Sequence, residues 1–243
     1  MRIDVVTIFP EMFQAVLGAS MLKRAQEQGL LRVVLRDLRT HTHDRHRSVD
    51  DRPYGGGPGM VMKPEPLVEA VEAIRNECGH APGNPGCRVV LLSPQGDRLT
   101  NAAAKDLAAS THLILLCGHY EGVDERVKEL IVDQSVSIGD NILTGGELPA
   151  MVLIDCLARF LPGVIGHAEA TVEESFADGW LEYAQYTRPP VFRERAVPEV
   201  LLSGDHERIA QWRKLQSVAR TLVNRPDLAH VTSRGPSAQR TKE

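Results

Sequence analysis

Five short apolar runs constrain this chain more than any other feature of it. They cover residues 3–8, 31–35, 88–92, 112–116 and 135–138. Each is rich in Val, Ile and Leu, nearly unbroken, and bounded by polar or Gly/Pro residues. A continuous apolar run, unlike an alternating one, suits a strand covered on both faces, as in a parallel sheet with helices above and below. Helical patterns fall between the runs. Pro64 and Pro66 open one, with Leu67, Ala70, Val71 and Ile74 on one side and Glu65, Glu69, Glu72 and Arg75 on the other. Thr100 or Asn101 caps the next. Residues 147–160 are the most apolar and read as a buried helix. Strands alternating with helices imply an α/β domain over residues 1–163.

Beyond Pro162-Gly163 the character changes. Residues 164–179 are polar and acidic and read as a linker. Residues 180–243 carry several prolines, a helix from Asp205 to Asn224 stopped by Pro226, and a Ser-, Gly-, Arg- and Lys-rich tail. Charge divides in the same region. The formal net charge of -4 speaks against a uniformly basic nucleic-acid binder, but the balance is uneven. Residues 1–177 hold 17 Lys+Arg against 24 Asp+Glu, and residues 178–243 hold 11 against 8. A basic C-terminal helix is either a solvated face or a surface for phosphates. No run approaches the roughly 20 apolar residues of a membrane span. Asp4, Pro10 and Glu11 interrupt the N-terminal run, which does not read as a signal peptide. Cys78, Cys87, Cys117 and Cys156 form no CxxC pair and read as reduced thiols of a cytoplasmic protein.

Three of the runs lead into glycine-bearing loops: Ser93-Pro94-Gln95-Gly96, Cys117-Gly118-His119-Tyr120-Glu121-Gly122, and Gly139-Asp140-Asn141 through Gly145-Gly146-Glu147. Ligands of open α/β sheets collect at the carboxyl ends of strands. Three such loops together indicate one composite small-molecule pocket. Neither GxGxxG after a strand nor GxxxxGK[ST] is present, so the usual dinucleotide and P-loop fingerprints are missing. Only Arg98 and Arg126 lie close to these loops in sequence. The loops instead offer backbone amides, apolar Leu92, Ile138 and Leu143, and the carboxylates Glu121, Asp140 and Glu147. That set suits an adenosine moiety carrying positive charge better than a polyphosphate, and S-adenosylmethionine is such a ligand.

Residues 49–60 hold four glycines and two prolines within eight positions, which excludes helix or regular strand. Upstream, His41, His43 and His46 have a metal-like spacing, but Arg45 and Arg47 among them would repel a cation. A hydrogen-bonding loop facing nucleic acid competes there with a solvated loop. Arg159 ends the apolar helix, and Glu173-Glu174 follow. Composition alone gives neither a catalytic role.

At these residues the chain resembles a known family. Asp50-Asp51-Arg-Pro-Tyr-Gly-Gly-Gly-Pro-Gly-Met60, Leu92-Ser-Pro-Gln-Gly96, Cys117-Gly-His-Tyr-Glu-Gly-Val-Asp-Glu-Arg126, Ser137-Ile-Gly-Asp140, Gly145-Gly-Glu-Leu-Pro-Ala150, Arg159-Phe-Leu-Pro-Gly163, Tyr186-Thr-Arg-Pro189 and Val200-Leu-Leu-Ser-Gly-Asp-His206 stand in the order found in bacterial tRNA (guanine-N1)-methyltransferases of the TrmD type, in the SPOUT superfamily. Any one motif is weak; the ordered set, spanning residues 1 to about 226, is specific.

The resemblance implies an α/β fold whose parallel sheet ends in a deep trefoil knot, plus a small C-terminal α-helical domain that binds tRNA. It implies a homodimer with active sites shared between subunits, S-adenosylmethionine as methyl donor, and tRNA with guanine at position 37, 3′ of the anticodon, as acceptor. The matching cofactor positions are Leu92, Pro94, Gly118, Tyr120, Glu121, Ile138, Gly139, Asn141, Leu143, Gly145, Gly146 and Pro149. Asn141 stands where an aromatic residue is frequent. The matching tRNA-binding positions are Asp50, Gly59, Arg188 and His206. Arg159 resembles the catalytic arginine. Glu174 occupies the place of an aspartate general base, and Ala170 replaces a serine just upstream. Mg2+ is compatible with the resemblance, although no dedicated metal cage is visible. Two rivals are an RNA-binding protein that has lost catalysis, motivated by Glu174 and Ala170, and a nucleotide-dependent enzyme acting on a small metabolite, which the missing fingerprints disfavour.

Overall fold

The computed structural model describes residues 1–166 and 174–232. Ala170, Glu173 and the rest of 167–173 lie outside the described residues, as does the tail from 233. The chain divides into two compact units, Met1–Gly166 and His167–Glu243.

The first unit is built on five strands: β1 (Arg2–Thr7), β2 (Arg32–Asp37), β5 (Cys87–Arg98), β6 (His112–Cys117) and β7 (Gln134–Ser137). They form one sheet in the order β2-β1-β6-β5-β7, with every pairing parallel. All five apolar runs therefore became sheet strands. Their continuity has the expected cause. Leu113, Leu115 and Cys117 of β6 enter a core on one face, and Ile114 and Leu116 enter a second core on the other. Val90 and Leu92 of β5 divide from Val89 and Leu91 in the same way.

Six α-helices belong to this unit. α1 (Gln14–Leu17) and α2 (Ser20–Glu27) follow β1. α3 (Pro64–Cys78) precedes β5, α4 (Asn101–Ala108) precedes β6, α5 (Glu125–Ile131) precedes β7, and α6 (Glu147–Ala158) follows β7. The caps explain several starts. The Thr100 hydroxyl accepts from Ala103 N at 3.1 Å, and the Asp124 carboxylate accepts from Arg126 N at 3.0 Å. α3 begins at Pro64, whose missing N–H is one the first turn leaves unbonded anyway. Leu67, Ala70, Val71 and Ile74 are on its buried face, as its periodicity requires, but Arg75, expected on the polar side, is buried as well.

Two sequence expectations need correction. The run at 88–92 does not end its strand at Leu92. The chain bulges out over residues 93–96 and rejoins, so that both Leu92 and Asp97 pair with Val136. Proline and glycine in the excursion hid the rejoining segment. Also, α6 is not buried all round. Ala150, Leu153, Ile154 and Leu157 are buried, but Leu148 and Val152 remain 49% and 46% exposed. Total apolarity does not distinguish a helix covered on every side from one with an apolar stripe facing water.

The second unit holds a short ladder of β8 (Val191–Phe192) with β9 (Arg195–Ala196), then α7 (Glu199–Leu202), α8 (His206–Asn224) and α9 (Pro226–Thr232). Asp205 caps α8, its carboxylate accepting from Arg208 N at 3.1 Å. Pro226 ends α8 as expected, but it also opens α9, in the N-terminal position where proline is tolerated. The buried Thr221 hydroxyl accepts from Leu181 N at 2.9 Å and ties α8 to the segment before the ladder. Among the described residues no helix is long and apolar enough to cross a membrane.

Candidate active site

The three glycine-bearing loops meet at the carboxyl edge of the sheet. Leu92 is registered with Cys117 on one side and Val136 on the other. The chains of β5, β6 and β7 consequently leave the sheet at one level. They enclose a cavity of about 940 Å³, at the large end of the range for small-molecule sites. All twelve residues matched to the cofactor site line it: Leu92, Pro94, Gly118, Tyr120, Glu121, Ile138, Gly139, Asn141, Leu143, Gly145, Gly146 and Pro149.

The glycine-rich segment forms a further wall. β3 (Asp50–Asp51) and β4 (Val61–Met62) pair antiparallel on either side of it. β4 then lies along the loop after β6. Met62 N donates to Gly122 O at 2.9 Å, Glu121 N to Met60 O at 3.0 Å, and Asp124 N to Met62 O at 3.0 Å. Asp51, Arg52, Tyr54 and Lys63 are thereby brought to the cavity. Asp50 is half-buried beside them without lining it, and Gly59 passes so close to Glu121 that an added Cβ would come within 2.2 Å of Oε1. Tyr120 is held at φ +60. Burial, then the Asp50 carboxylate, raises its phenol above the usual range, with Arg39 opposing.

The structure reassigns several charged residues. Arg98 does not line the cavity and pairs with Asp140 at 3.1 Å. Arg52, Lys63 and Lys128 do line it, alongside Arg126. Sequence distance concealed Arg52 and Lys63, which arrive from the glycine-rich segment. Arg126 is tied to Asp124 at 2.8 Å, and Lys128 to Gln95 and Glu125 at 2.8 Å each. Of the three carboxylates expected to face a cation, only Glu121 lines the cavity. Asp140 is at the surface with Arg98. Glu147 is 1% exposed and bonded internally to Thr7 and His119. The Cys117 thiol is pushed far up by burial, with Glu147 adding to the effect. It is held protonated and unreactive at neutral pH.

Close approach of backbone explains Gly146. Its N–H donates to Gly118 O at 2.8 Å, and a Cβ there would meet Cys117 Cα at 2.7 Å and Gly118 N at 3.0 Å. Those neighbours are backbone and do not yield. Gly146→Ala is expected to separate the two loops and weaken adenosine-ligand binding by about tenfold or more, the counterpart of a lost buried hydrogen bond. Calorimetric titration would read this, and an unchanged affinity would count against the cavity as the binding site.

Arg159 is half-buried at the C-terminal cap of α6. The N-terminus of the same helix lines the cavity, so Arg159 stands roughly 20 Å from Gly146 along the helix axis. Glu174 is half-buried in the second unit. Arg188 precedes a cis Pro189, and His206 begins α8; both are exposed in the second unit. Near them, the Arg213 guanidinium lies over the Tyr183 ring at 4.7 Å, and Tyr186 approaches Trp212 at 6.3 Å. Tyr186 opens one of the family-like motifs, but Tyr183 and Trp212 stand outside all of them. Their signal was the spacing of Tyr183 and Tyr186 ahead of a basic helix.

Comparison with known proteins identifies the family. Residues 1–231 match the family model described as tRNA (Guanine-1)-methyltransferase TrmD. A tRNA (guanine-N(1)-)-methyltransferase of Moorella thermoacetica (strain ATCC 39073 / JCM 9320) is 54% identical over 245 residues, covering 100% of this chain and 96% of its own. Its counterpart in Geobacillus kaustophilus (strain HTA426) is 52% identical over 228 residues, covering 94% of this chain and 91% of its own. Another from Chloroflexus aurantiacus (strain ATCC 29366 / DSM 635 / J-10-fl) is 54% identical over 228 residues, covering 94% and 88%. With a parallel sheet, a glycine-walled cavity at its carboxyl edge and this similarity along nearly its whole length, the chain belongs to the tRNA (guanine-1)-methyltransferase family.

Proposed function

We propose that this chain is a cytoplasmic, S-adenosylmethionine-dependent enzyme that methylates N1 of guanine 37 in tRNA. Methyl transfer to guanine N1 of tRNA follows from the family. The observation that carries the cofactor assignment is the convergence of all twelve matched residues on one cavity. The cavity suits the ligand. Leu92, Ile138, Leu143 and Pro149 offer apolar surface for a base, the glycines expose backbone groups, and Glu121 supplies negative charge for a cation. When bound, S-adenosylmethionine supplies an electrophilic methyl group.

The chain's own residues must then deal with the acceptor. Guanine N1 bears a proton and becomes nucleophilic only on losing it. Glu174 is assigned to accept that proton. Negative charge then grows on O6, where the Arg159 guanidinium is assigned to stabilise it. The fold reading includes the trefoil knot, formed by the three glycine-bearing loops after β5, β6 and β7, and a tRNA-binding role for the helical second unit. Arg188, His206 and the Tyr183–Arg213 stack there are suited to backbone and base contacts, as Asp50 and Gly59 are in the first unit. The homodimer reading is supported by the exposed apolar stripe of α6 and by the distance of Arg159 from the cavity of its own copy, which leaves a second copy to complete the site. Among the described residues no three His, Cys, Asp or Glu side chains converge on the cavity as metal ligands, and no step here is assigned to Mg2+.

Transfer of labelled methyl from S-adenosylmethionine to tRNA, with guanine 37 present or replaced, tests donor, acceptor and position together. Label entering only the guanine-37 tRNA is expected. Equal labelling of both would defeat the positional assignment, and failure to bind S-adenosylmethionine at equilibrium would favour the RNA-binding rival.

A further inference from the structure

One residue on the cavity wall is tied to three separate parts of the first unit. The Nε2 of His119, after β6, lies 2.6 Å from Glu147 Oε2 at the start of α6. The other oxygen of Glu147 accepts from the Thr7 hydroxyl at 2.6 Å, and that hydroxyl oxygen accepts from Phe9 N at 2.9 Å. The backbone N–H of His119 donates to Met62 Sδ at 3.1 Å, in β4. The Phe9 ring meets the imidazole edge-on, with centroids 5.1 Å apart. Thr7 and Glu147 are fully buried and do not line the cavity; His119 does.

The glycines beside this chain are shaped to it. His119 and Gly145 form an antiparallel bridge, and a Cβ on Gly145 would come within 2.1 Å of the His119 Nε2. The imidazole occupies the volume that any side chain at 145 would need. A carboxylate as deeply buried as Glu147 is costly without donors on both oxygens. Thr7 and His119 supply them, so the geometry that satisfies Glu147 also fixes how the two cavity loops face each other.

We propose that His119 is a positioning residue for the methyl donor. Through Glu147 and Thr7 it anchors the loops 118–122 and 139–146 to the end of β1, and affinity for S-adenosylmethionine depends on that anchor. The inference rests on the reading of this cavity as the cofactor site. Glycine-rich loops have many conformations to lose. Loops already held in the binding geometry leave less ordering to be done by the ligand. Cutting the anchor therefore acts on binding, while the saturated complex, with loops ordered by the ligand, turns over nearly as before.

The test combines calorimetric titration with S-adenosylmethionine, thermal melting and single-turnover methylation at saturating cofactor. The proteins are wild type, His119→Gln, His119→Met, Thr7→Val and the Thr7→Val/His119→Met double variant. Glutamine can keep an N–H donor toward Glu147; methionine fills similar space without one. His119→Met is expected to raise the cofactor Kd about tenfold, His119→Gln by about threefold or less, and Thr7→Val by several-fold. The double variant should fall short of the product of the single effects, because both cut one chain. Saturated rates should stay within about threefold of wild type. An unchanged Kd in His119→Met, no rescue by glutamine, or a lower Tm with Kd unaltered would overturn the proposal. Wild-type protein that does not bind S-adenosylmethionine would instead remove the cofactor reading beneath it.

Discussion

Glu174→Gln is expected to slow single-turnover methylation by about 10²–10⁴-fold, the range over which a positioned general base acts. Glutamine keeps nearly the shape of glutamate but has no basic oxygen to receive the N1 proton. Glu174→Asp should retain part of the activity. It keeps the carboxylate and shortens its reach by one methylene, and aspartate is the residue that the resembling stretch carries at this place. Cofactor affinity should change little in either variant, because all twelve residues matched to the cofactor site belong to the first unit and Glu174 to the second. Rate and binding must therefore be measured separately. A Gln variant that turns over near the wild-type rate would show that another group takes the proton.

The largest effect on stability is expected at the opposite end of the sheet. Asp4, on β1, is fully buried. Its carboxylate accepts from Arg2 Nε at 2.6 Å and Arg36 Nε at 2.7 Å and lies 2.9 Å from His112 Nε2. Glu77 bridges the two guanidinium groups from outside at 2.9 and 2.7 Å. Burial by itself would raise the Asp4 pKa, but the hydrogen bonds from His112, Arg2 and Arg36 outweigh it and hold the group well below the usual carboxylate range. A carboxyl group whose folded pKa is depressed contributes stability above its unfolded pKa. Here that contribution is complete above about pH 4–5, and it is lost as pH falls toward the folded value. Asp4→Asn removes the buried charge and leaves the two arginines with Glu77, on the outside, as their carboxylate partner. A loss of about 3–5 kcal/mol is expected, as for other broken buried pairs. Urea denaturation at neutral pH should show a lower midpoint at an unchanged m-value, and the gap between variant and wild type should narrow toward pH 2. A midpoint within error of wild type would mean that the cluster is energetically idle.

Different parts of the molecule were legible to different degrees. The five strands could be located within a residue or two, apart from the late end of β5, because burial on both faces demands unbroken Val, Ile and Leu. The apolar face of α3, the cap at Thr100 and the start of α8 near Asp205 were legible for similar reasons, each being set by residues within a few positions. The cavity residues were legible as glycine-bearing strand ends, and the ordered motifs named their family. Glu147 was misjudged because its sequence neighbours, glycines in a pocket loop, say nothing of Thr7, 140 residues away. Arg52 and Lys63 were overlooked for the same reason, since the pairing of β4 with the loop after β6 joins segments about 60 residues apart.

From sequence alone came the strand and helix periods, the α/β class, the glycine loops and the family likeness, all carried by local spacing or by motif order. The tertiary structure alone decided the strand order β2-β1-β6-β5-β7, the common level at which three loops leave the sheet, and the anchoring of His119 through Glu147 to Thr7. The physical reason is that sheet register and buried polar pairing are set by contacts between distant segments. Each segment satisfies its own local preferences in many arrangements, and only packing around a shared core selects one of them.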